Sequence, residues 1–181
     1  MKKHIVLLLA ALLLLSACAA KPSISPAKFS KETQTVLDTI GNTWFFDYVP
    51  GDGVQSFHVD YWTLADGVWS RETAMEAFQL ENKPACLGIH FEPETLYVYI
   101  EGAKYTLPFV MAPTLLEGKA KMSNPLMSAQ EIVPGEDIIL YQCLYSEDGN
   151  MLNSDLGSFA ATDYAGGVAL TVTFCEGALG E

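Results

Sequence analysis

A histidine and an aspartate lie two residues apart in a segment where apolar and polar side chains alternate. On an extended strand, His58 and Asp60 point to the same face, where a carboxylate can orient an imidazole for proton transfer. Catalysis by such a pair also needs a nucleophile, and no motif ties a serine to His58. The spacing therefore favours a polar pair on a solvated face over a catalytic pair.

Cys86 and His90 form a second pair, because alternate positions along a strand share a face. A thiolate and an imidazole are two of the ligands that zinc prefers, and Cys143 or Cys175 would be needed to complete a site. We expect a buried thiol and a partly exposed imidazole here instead. The sequence thus predicts no metal and no cofactor.

Other signatures of catalysis are scarce. The sequence contains no HExxH, GxSxG or P-loop motif, and Gly51-Asp52-Gly53 lacks the third glycine of a dinucleotide-binding turn. Glu92 and Glu94 offer two carboxylates, but glycoside hydrolysis needs a pair that is spaced across a cleft. These observations favour a protein without catalytic activity.

Three aromatic residues are candidates for ligand binding, because each lies opposite the apolar face of its strand. Tyr97 and Tyr99 alternate with the apolar residues of 96–100, and Trp62 alternates with those of 57–61. Exposed aromatic rings stack on sugars or grip peptides, so we predict that Trp62, Tyr97 and Tyr99 bind the ligand. The alternative is that these rings pack under a connection, under a helix or against a second sheet.

The elements that must position these residues are mostly short strands. Apolar residues alternate with polar ones between turns rich in Gly, Pro and Asp, which is typical of antiparallel strands. The sequence predicts an all-β fold, an antiparallel β-sandwich that is immunoglobulin-like or barrel-like, with a short N-terminal helix. The predicted strands are Thr43–Val49, Val54–Thr63, Val68–Trp69, Ala85–Phe91, Leu96–Ile100, Tyr105–Phe109, Ile138–Tyr145 and Val168–Phe174.

A helix and two segments fall outside the strand pattern. Ser30 can cap a helix that ends before Gly41. Residues 70–80 combine helix-forming side chains with partial alternation, so they are compatible with a helix or a strand. Residues 112–130 contain prolines, methionines and lysines, and we predict a long irregular connection of the kind that often has a function.

The composition limits the partners. The chain has 181 residues and a net charge of −12, and its length suits one domain with a sizeable core. Nucleic-acid binding needs a basic surface, so the acidic balance argues against a nucleic-acid partner. The same balance disfavours contact with anionic lipid headgroups.

The first eighteen residues are organised like an export signal. Lys2 and Lys3 precede the apolar run Ile5–Leu15, which is too short to span a bilayer at about 1.5 Å per residue. The run ends in Leu15-Ser16-Ala17-Cys18, which resembles the lipobox of bacterial lipoproteins. The resemblance implies cleavage before Cys18 and a diacylglyceryl group on its thiol, and two acyl chains make a stable anchor.

This resemblance predicts three parts of the chain. Residues 1–17 would be the cleaved signal, residues 18–29 the lipidated cysteine and a tether, and residues 30–181 a single β-sandwich domain. The implied location is the cell membrane, with the domain facing the extracellular side or the periplasm. The lipid bilayer is then the first partner, through the diacylglyceryl group of Cys18.

Three cysteines remain once Cys18 is lipidated, which is an odd number without a CxxC motif. Cys143 and Cys175 lie in two strong strand candidates, so they are the best-placed pair for a disulfide. Three reduced, buried cysteines are the alternative, because cysteine is often a small core residue.

The anchor, the strand pattern and the scarcity of catalytic motifs together indicate a function. We expect a membrane-anchored, non-catalytic binding or interaction module whose partner is a glycan, a peptide or an envelope protein. A lipid-anchored glycan hydrolase that uses Glu92 and Glu94 is one alternative. A structural lipoprotein of envelope assembly is the other.

Overall fold

The structure, a computed structural model, describes residues 21–92, 94–108, 120–146, 149, 156–160 and 163–177. One helix and eleven strands occur in these ranges. They are α1 (Lys31–Ile40), β1 (Ser23–Pro26), β2 (Thr43–Val49), β3 (Ser56–Ala65), β4 (Val68–Gln79), β5 (Ala85–Glu92), β6 (Thr95–Ile100), β7 (Ala103–Pro108), β8 (Ala120–Pro125), β9 (Gln130–Glu131), β10 (Asp137–Ser146) and β11 (Gly166–Cys175).

Two antiparallel sheets pack together, which confirms the predicted all-β sandwich. Sheet A has the strand order β7-β6-β5-β2-β1-β9, and sheet B has the order β4-β3-β11-β10-β8. In sheet A, three of the five pairs of neighbouring strands are consecutive in the sequence. In sheet B, β11 lies between β3 and β10. Sheet B therefore joins segments that are far apart in the sequence.

The core lies between the sheets and is formed by the inward half of each strand. Tyr48 of sheet A contacts Phe57 and Phe174 of sheet B, with ring centroids 6.1 and 5.6 Å apart. Burying apolar surface stabilises the fold by about 25 cal/mol per Å². The fully buried inward side chains include Phe46, Tyr48, Phe57, Val59, Leu87, Ile89, Leu96, Val98, Leu140, Leu170, Val172 and Phe174.

Two tight turns close hairpins with both central residues at positive φ. Asp66 and Gly67 have φ of 51° and 75°, and Glu101 and Gly102 have φ of 50° and 83°. Such turns match the twist of the flanking strands. The second of these turns is followed directly by Ala103, the first residue of β7.

The tether predicted for residues 18–29 is wrong for residues 23–26, which form β1. This strand pairs with β2 and β9, and Ile24 within it is fully buried. The prolines and serines around Ile24 give the segment the composition of a linker, but its backbone pairs on both sides. The sandwich thus begins at Ser23 and not at residue 30.

Strands also form in residues 70–80 and 112–130, the two segments outside the predicted strand pattern. Residues 70–80 fall almost wholly within β4, a largely exposed strand at the edge of sheet B. Within 112–130, the prediction of an irregular connection is wrong for β8 and β9, and residues 112–119 lie outside the described residues.

The N-terminal helix forms as its capping residues predict. The Ser30 side chain accepts a hydrogen bond from the backbone N–H of Thr33, and Gly41 follows α1 with φ of 67°. Cys18 and the apolar run before it lie outside the described residues. Within the described ranges, no helix has both the length and the hydropathy to cross a membrane.

Candidate functional site

The outer face of sheet B has a cluster of polar side chains around His58 and Asp60. Both point outward from β3, as their spacing predicts, and His58 Nε2 lies 3.1 Å from Asp60 Oδ2. Asp60 is nonetheless fully buried. An outward-pointing carboxylate becomes buried only when neighbouring side chains close over it, so this pair is not on a solvated face.

Strand pairing brings the remaining members of the cluster together. β11 places Thr173 beside His58, and β10 places Asp137 beside Thr173. Thr173 Oγ1 donates a hydrogen bond to Asp137 Oδ1. From the opposite side, Arg71 reaches the cluster from β4. Sequence reasoning missed Asp137 and Thr173, because no local spacing relates strands so far apart in the chain. It missed Arg71 because residues 70–80 were compatible with a helix or a strand, which left the direction of this side chain open.

The guanidinium of Arg71 lies at the centre of the cluster. Its Nη2 atom is 2.5 Å from Asp60 Oδ2, 2.9 Å from His58 Nε2 and 3.4 Å from Asp137 Oδ1. The hydrogen bond with Asp60 is the main cause that raises the pKa of Arg71, and attraction to both carboxylates adds to it. A buried carboxylate needs such a partner, since an unpaired charge in the interior is costly.

One oxygen of Asp60 is left without a partner. Arg71 and His58 both approach Oδ2, whereas Oδ1 is buried and makes no hydrogen bond. Most buried polar atoms are paired, so an unpaired carboxylate oxygen requires an explanation such as an ion.

The backbone is irregular on both sides of the cluster. The pairing of β3 with β4 changes register between Phe57 and Asp60, and that of β10 with β11 changes between Ile139 and Tyr141. Such irregularities redirect side chains and are common next to functional sites.

Cys175 adds a thiol at the edge of the cluster. Its Sγ lies 3.6 Å from His58 Nδ1, so thiol, imidazole and carboxylate follow one another in the order of a cysteine hydrolase. Burial raises the pKa of this thiol and Asp60 adds to the effect, while Arg71 opposes it. A thiol that holds its proton is a poor nucleophile, so the geometry does not favour catalysis by Cys175.

The disulfide predicted between Cys143 and Cys175 is wrong. Cys143 lies opposite Val168 in the β10–β11 pair, and Cys175 is seven residues further along β11. Seven strand residues span about 23 Å, and a disulfide needs Cα atoms within about 7 Å. Cys86, Cys143 and Cys175 are free thiols.

The three predicted aromatic ligand-binding residues do not share one surface. Trp62 lies on sheet B, whereas Tyr97 and Tyr99 lie on β6 of sheet A. Phe159 packs on the Trp62 ring at a centroid distance of 4.4 Å, and Trp62 Nε1 donates a hydrogen bond to Thr171. The prediction of a binding role is not supported for Trp62, because its ring is part of a packed layer.

Tyr97 is flanked by neighbouring side chains. His90 of β5 stacks on its ring at 5.7 Å, and Lys104 Nζ of β7 lies 3.7 Å from the ring centroid. Its hydroxyl donates a hydrogen bond to Glu92, which raises the pKa of Tyr97. Tyr97 therefore offers its edge, and not a free ring face, to a ligand.

A row of rings continues from Tyr99 across the outer face of sheet A. Phe45 lies 6.3 Å from Tyr99, and Phe29 meets Phe45 edge-on at 5.5 Å. We call Phe29, Phe45 and Tyr99 the aromatic row. The sequence missed Phe29, because it falls in the predicted tether, and Phe45, because it alternates with inward aromatic residues.

The aromatic row ends at a cleft of about 200 Å³ between α1 and β2. We call it the helix cleft. Most of its walls are apolar, and Gln34 and Thr43 are among its few polar residues. Its lining includes Phe29, Leu37, Phe45, Pro125, Leu126 and Met127.

Cys86 and His90 do not form a metal site. Burial and the nearby Asp47 carboxylate raise the pKa of the Cys86 thiol to about 11, and His90 Nδ1 lies 2.7 Å from the Thr43 hydroxyl. Among the described residues, His58, Asp60 and Asp137 are the group that brings three possible ligands together.

Glu92 and Glu94 do not face each other across a cleft. Glu92 accepts the hydrogen bond from Tyr97 and lies 3.7 Å from His90 Nε2, while Glu94 is exposed beyond the end of β5. The helix cleft is lined by neither residue. Their arrangement gives no support to glycoside hydrolysis.

Comparison with known proteins gives no match. No protein-family model fits the chain, and neither curated protein sequences nor solved structures resemble it significantly.

Proposed function

We propose that this protein is a lipid-anchored, non-catalytic binding module outside the cytoplasm, and that it binds an apolar side chain of a partner protein in the helix cleft. The observation that supports this most directly is the continuity between the aromatic row and the helix cleft. Phe29 and Phe45 belong to both, so one surface combines an exposed ring, Phe29, and the half-buried rings of Phe45 and Tyr99 with a recess.

The size and lining of the helix cleft favour a protein side chain as the occupant. Its volume of about 200 Å³ is below the roughly 300–1,000 Å³ of small-molecule sites. A recess of this size and apolarity suits one large apolar side chain. Sugars need more polar partners around the stacked ring than Gln34 and Thr43 provide.

Exposed apolar side chains occur in the lining of the helix cleft and on α1, the helix that forms one of its walls. Val36 and Ile40 on α1 are each 58 % exposed, Met127 is 72 % exposed and Phe29 is 40 % exposed. Exposed apolar residues that occur singly need no explanation, but a group around a recess is typical of a protein-binding surface.

The charge of the chain favours a basic partner. Without Lys2 and Lys3, eight basic and 22 acidic side chains remain, a net charge of −14. Such a surface attracts cationic segments and repels anionic ones, which raises the association rate for basic proteins. The expected ligand is therefore a segment in which Leu or Phe is flanked by Lys or Arg.

The test is fluorescence anisotropy with labelled Lys-rich peptides that contain Leu and Phe, compared with the same peptides carrying Ser at those positions. We expect the apolar peptides to bind, and Phe29→Ala or Leu37→Gln to weaken binding at least tenfold. Val68→Ala is the control, because Val68 is also an exposed apolar residue (62 %) but lies on β4 of sheet B.

Two results would contradict the proposal. One is equal binding of the apolar and Ser-substituted peptides, which would leave only charge attraction. The other is a shift of the unfolding temperature with soluble neutral glucans that depends on Tyr99 and not on Leu37, which would indicate a glycan ligand.

A further inference from the structure

We infer that the cluster on the outer face of sheet B is a binding site for one divalent transition-metal ion such as Zn²⁺, and that Arg71 holds the ion's position in the metal-free protein. This site lies on the sheet opposite the aromatic row. The inference is independent of the proposed function.

Three ligand atoms converge on one point. One nitrogen of His58 and one oxygen each of Asp60 and Asp137 lie within 4.8 Å of one another. The same three side chains approach a single atom, Arg71 Nη2, at 2.5 to 3.4 Å. The guanidinium is thus a positive charge at the place where a metal ion would meet all three.

The buried state of Asp60 is a second, independent observation. The residue is 0 % exposed, and its Oδ1 atom has no hydrogen-bond partner. Arg71 satisfies only the Oδ2 side of this carboxylate. A metal ion can take both oxygens of a carboxylate, so it would satisfy the atom that the guanidinium leaves unpaired.

The ligand set fits zinc better than calcium or magnesium. One imidazole and two carboxylates give three protein ligands, and water completes the four-coordinate sites that zinc adopts. Calcium and magnesium need six or more ligands, nearly all of them oxygen. The hydrogen bond from Thr173 to Asp137 holds one ligand in place, as is usual around metal sites.

Arg71 has room to move aside when a metal ion takes over the charge of Asp60. It belongs to the edge strand β4, and its side chain is 40 % exposed. Its guanidinium carbon already lies 5.3 Å from the centre of the Trp62 ring. A cation over an aromatic face is stabilised, so Arg71 can keep this contact with Trp62 when a metal ion displaces Nη2 from the three ligand atoms.

The first experiment is calorimetric titration of the purified protein with Zn²⁺. We expect one ion to bind, and Arg71→Ala to bind it at least tenfold more tightly than the wild type because the competing charge is gone. His58→Ala and Asp137→Asn, each in the Arg71→Ala background, should weaken that binding at least tenfold. His90→Ala is the matched control, because His90 lies near the Glu92 carboxylate on the other sheet and no third ligand joins them among the described residues.

Thermal unfolding gives a second readout. Without metal, Arg71→Ala should unfold at a lower temperature than the wild type, because it leaves Asp60 as an unpaired buried charge. Zn²⁺ should restore its unfolding temperature, while Ca²⁺ and Mg²⁺ should not.

Three results would overturn the inference. The first is an affinity of Arg71→Ala for Zn²⁺ that is no higher than that of the wild type. The second is Zn²⁺ binding that survives both His58→Ala and Asp137→Asn. The third is binding that is lost in Cys175→Ser but retained in Asp137→Asn, which would place the ion at the other ring nitrogen of His58.

Discussion

Gly88 is the residue that allows Phe45 of the aromatic row to pack closely on sheet A. A Cβ at this position would be 2.5 Å from Phe45 Cε1 and 3.2 Å from Tyr99 Cβ. The Phe45 ring therefore lies directly over the β5 backbone. The position of the Phe45 ring thus depends on the absence of a side chain at position 88.

Gly88→Ala should destabilise the protein by about 1–3 kcal/mol, the usual cost of adding a methyl group to a closely packed site. It should also weaken peptide binding, because Phe45 lines the helix cleft and its ring must move from its present position. Urea unfolding measures the first effect and anisotropy the second. Gly177→Ala is the control, since a Cβ there meets nothing within 4 Å, and an equal loss in both variants would contradict the explanation.

The half-buried thiol of Cys86 should make the free energy of unfolding fall as the pH rises above 9. Its pKa rises from an ordinary value of 9.0 to about 11, mainly through burial. Between these pH values the folded protein keeps a proton that the unfolded chain releases. The contribution of this thiol to stability is therefore full below pH 9 and is lost as the pH rises toward 11.

Urea unfolding at several pH values between 8.5 and 11 tests this expectation. Cys86→Ser should lose less stability over the interval than the wild type, because the group that titrates is gone. Parallel pH profiles for the two proteins would show that another group causes the loss. Burial also raises the pKa of Tyr48 and Tyr141, so both profiles should decline further above pH 10.

The residue-level predictions from sequence succeeded where a single strand was sufficient. His58 and Asp60 share a face because alternate residues of any strand do. The convergence of Arg71 and Asp137 on them could not be predicted, because it depends on which strands become neighbours. Trp62 was grouped with Tyr97 for the same reason, since alternation gives the face of a strand but not its sheet.

At the level of elements, the shortest strands are the most informative. β1 has four residues, yet it pairs with β2 on one side and β9 on the other. Its single fully buried side chain, Ile24, belongs to the main core cluster. This strand thereby joins the N-terminal segment to the sandwich.

Ile24→Ala should destabilise the protein by about 2–5 kcal/mol, because it removes buried methyl groups and leaves a cavity. Ser25→Ala, at the next position on the outer face, should change stability by less than about 0.5 kcal/mol. Chemical denaturation of both variants gives the comparison. If Ile24→Ala were as stable as the wild type, residues 23–26 would be acting as a tether after all.

The strength of alternation decided which elements could be predicted. In β6, buried and half-buried residues alternate regularly, and in β11 nearly every residue is buried. Both strands were predicted nearly to their ends. β4 is mostly exposed at a sheet edge, and its pairing with β3 changes register. The side chains that it packs against the core, Ala74, Met75 and Phe78, therefore do not alternate regularly along the sequence. Pairing with β3 overrides its helix-forming composition, as tertiary contacts often do for strands.

For the whole molecule, the acidic surface and the proposed anchor have opposite effects on membrane contact. A net charge of −14 repels anionic headgroups, whereas two acyl chains bind any bilayer. Attachment should thus depend entirely on Cys18. The all-β class follows from alternation along the chain, but nothing in the sequence indicates how the two sheets divide its strands.

Cys18→Ser should abolish incorporation of an alkyne-labelled fatty acid in a bacterial host, and the protein should move from the membrane to the soluble fraction. Cys86→Ser is the control, and it should retain both the label and the membrane location. Mass spectrometry of the N-terminal peptide would identify the modified residue directly. Labelling that persists in Cys18→Ser would contradict the proposed anchor.

The early start of β1 also limits how far the protein can act. If Cys18 is acylated, five peptide steps separate it from Ser23, and at about 3.5 Å each they span at most roughly 18 Å. The sandwich would then stay within about half a bilayer's thickness of the lipid surface. Pro26 and Ala27 of the helix cleft follow three and four residues after Ser23, so this wall of the cleft would lie within roughly 32 Å of the lipid surface. This favours proteins that reside in the same membrane over polymers of a distant cell wall.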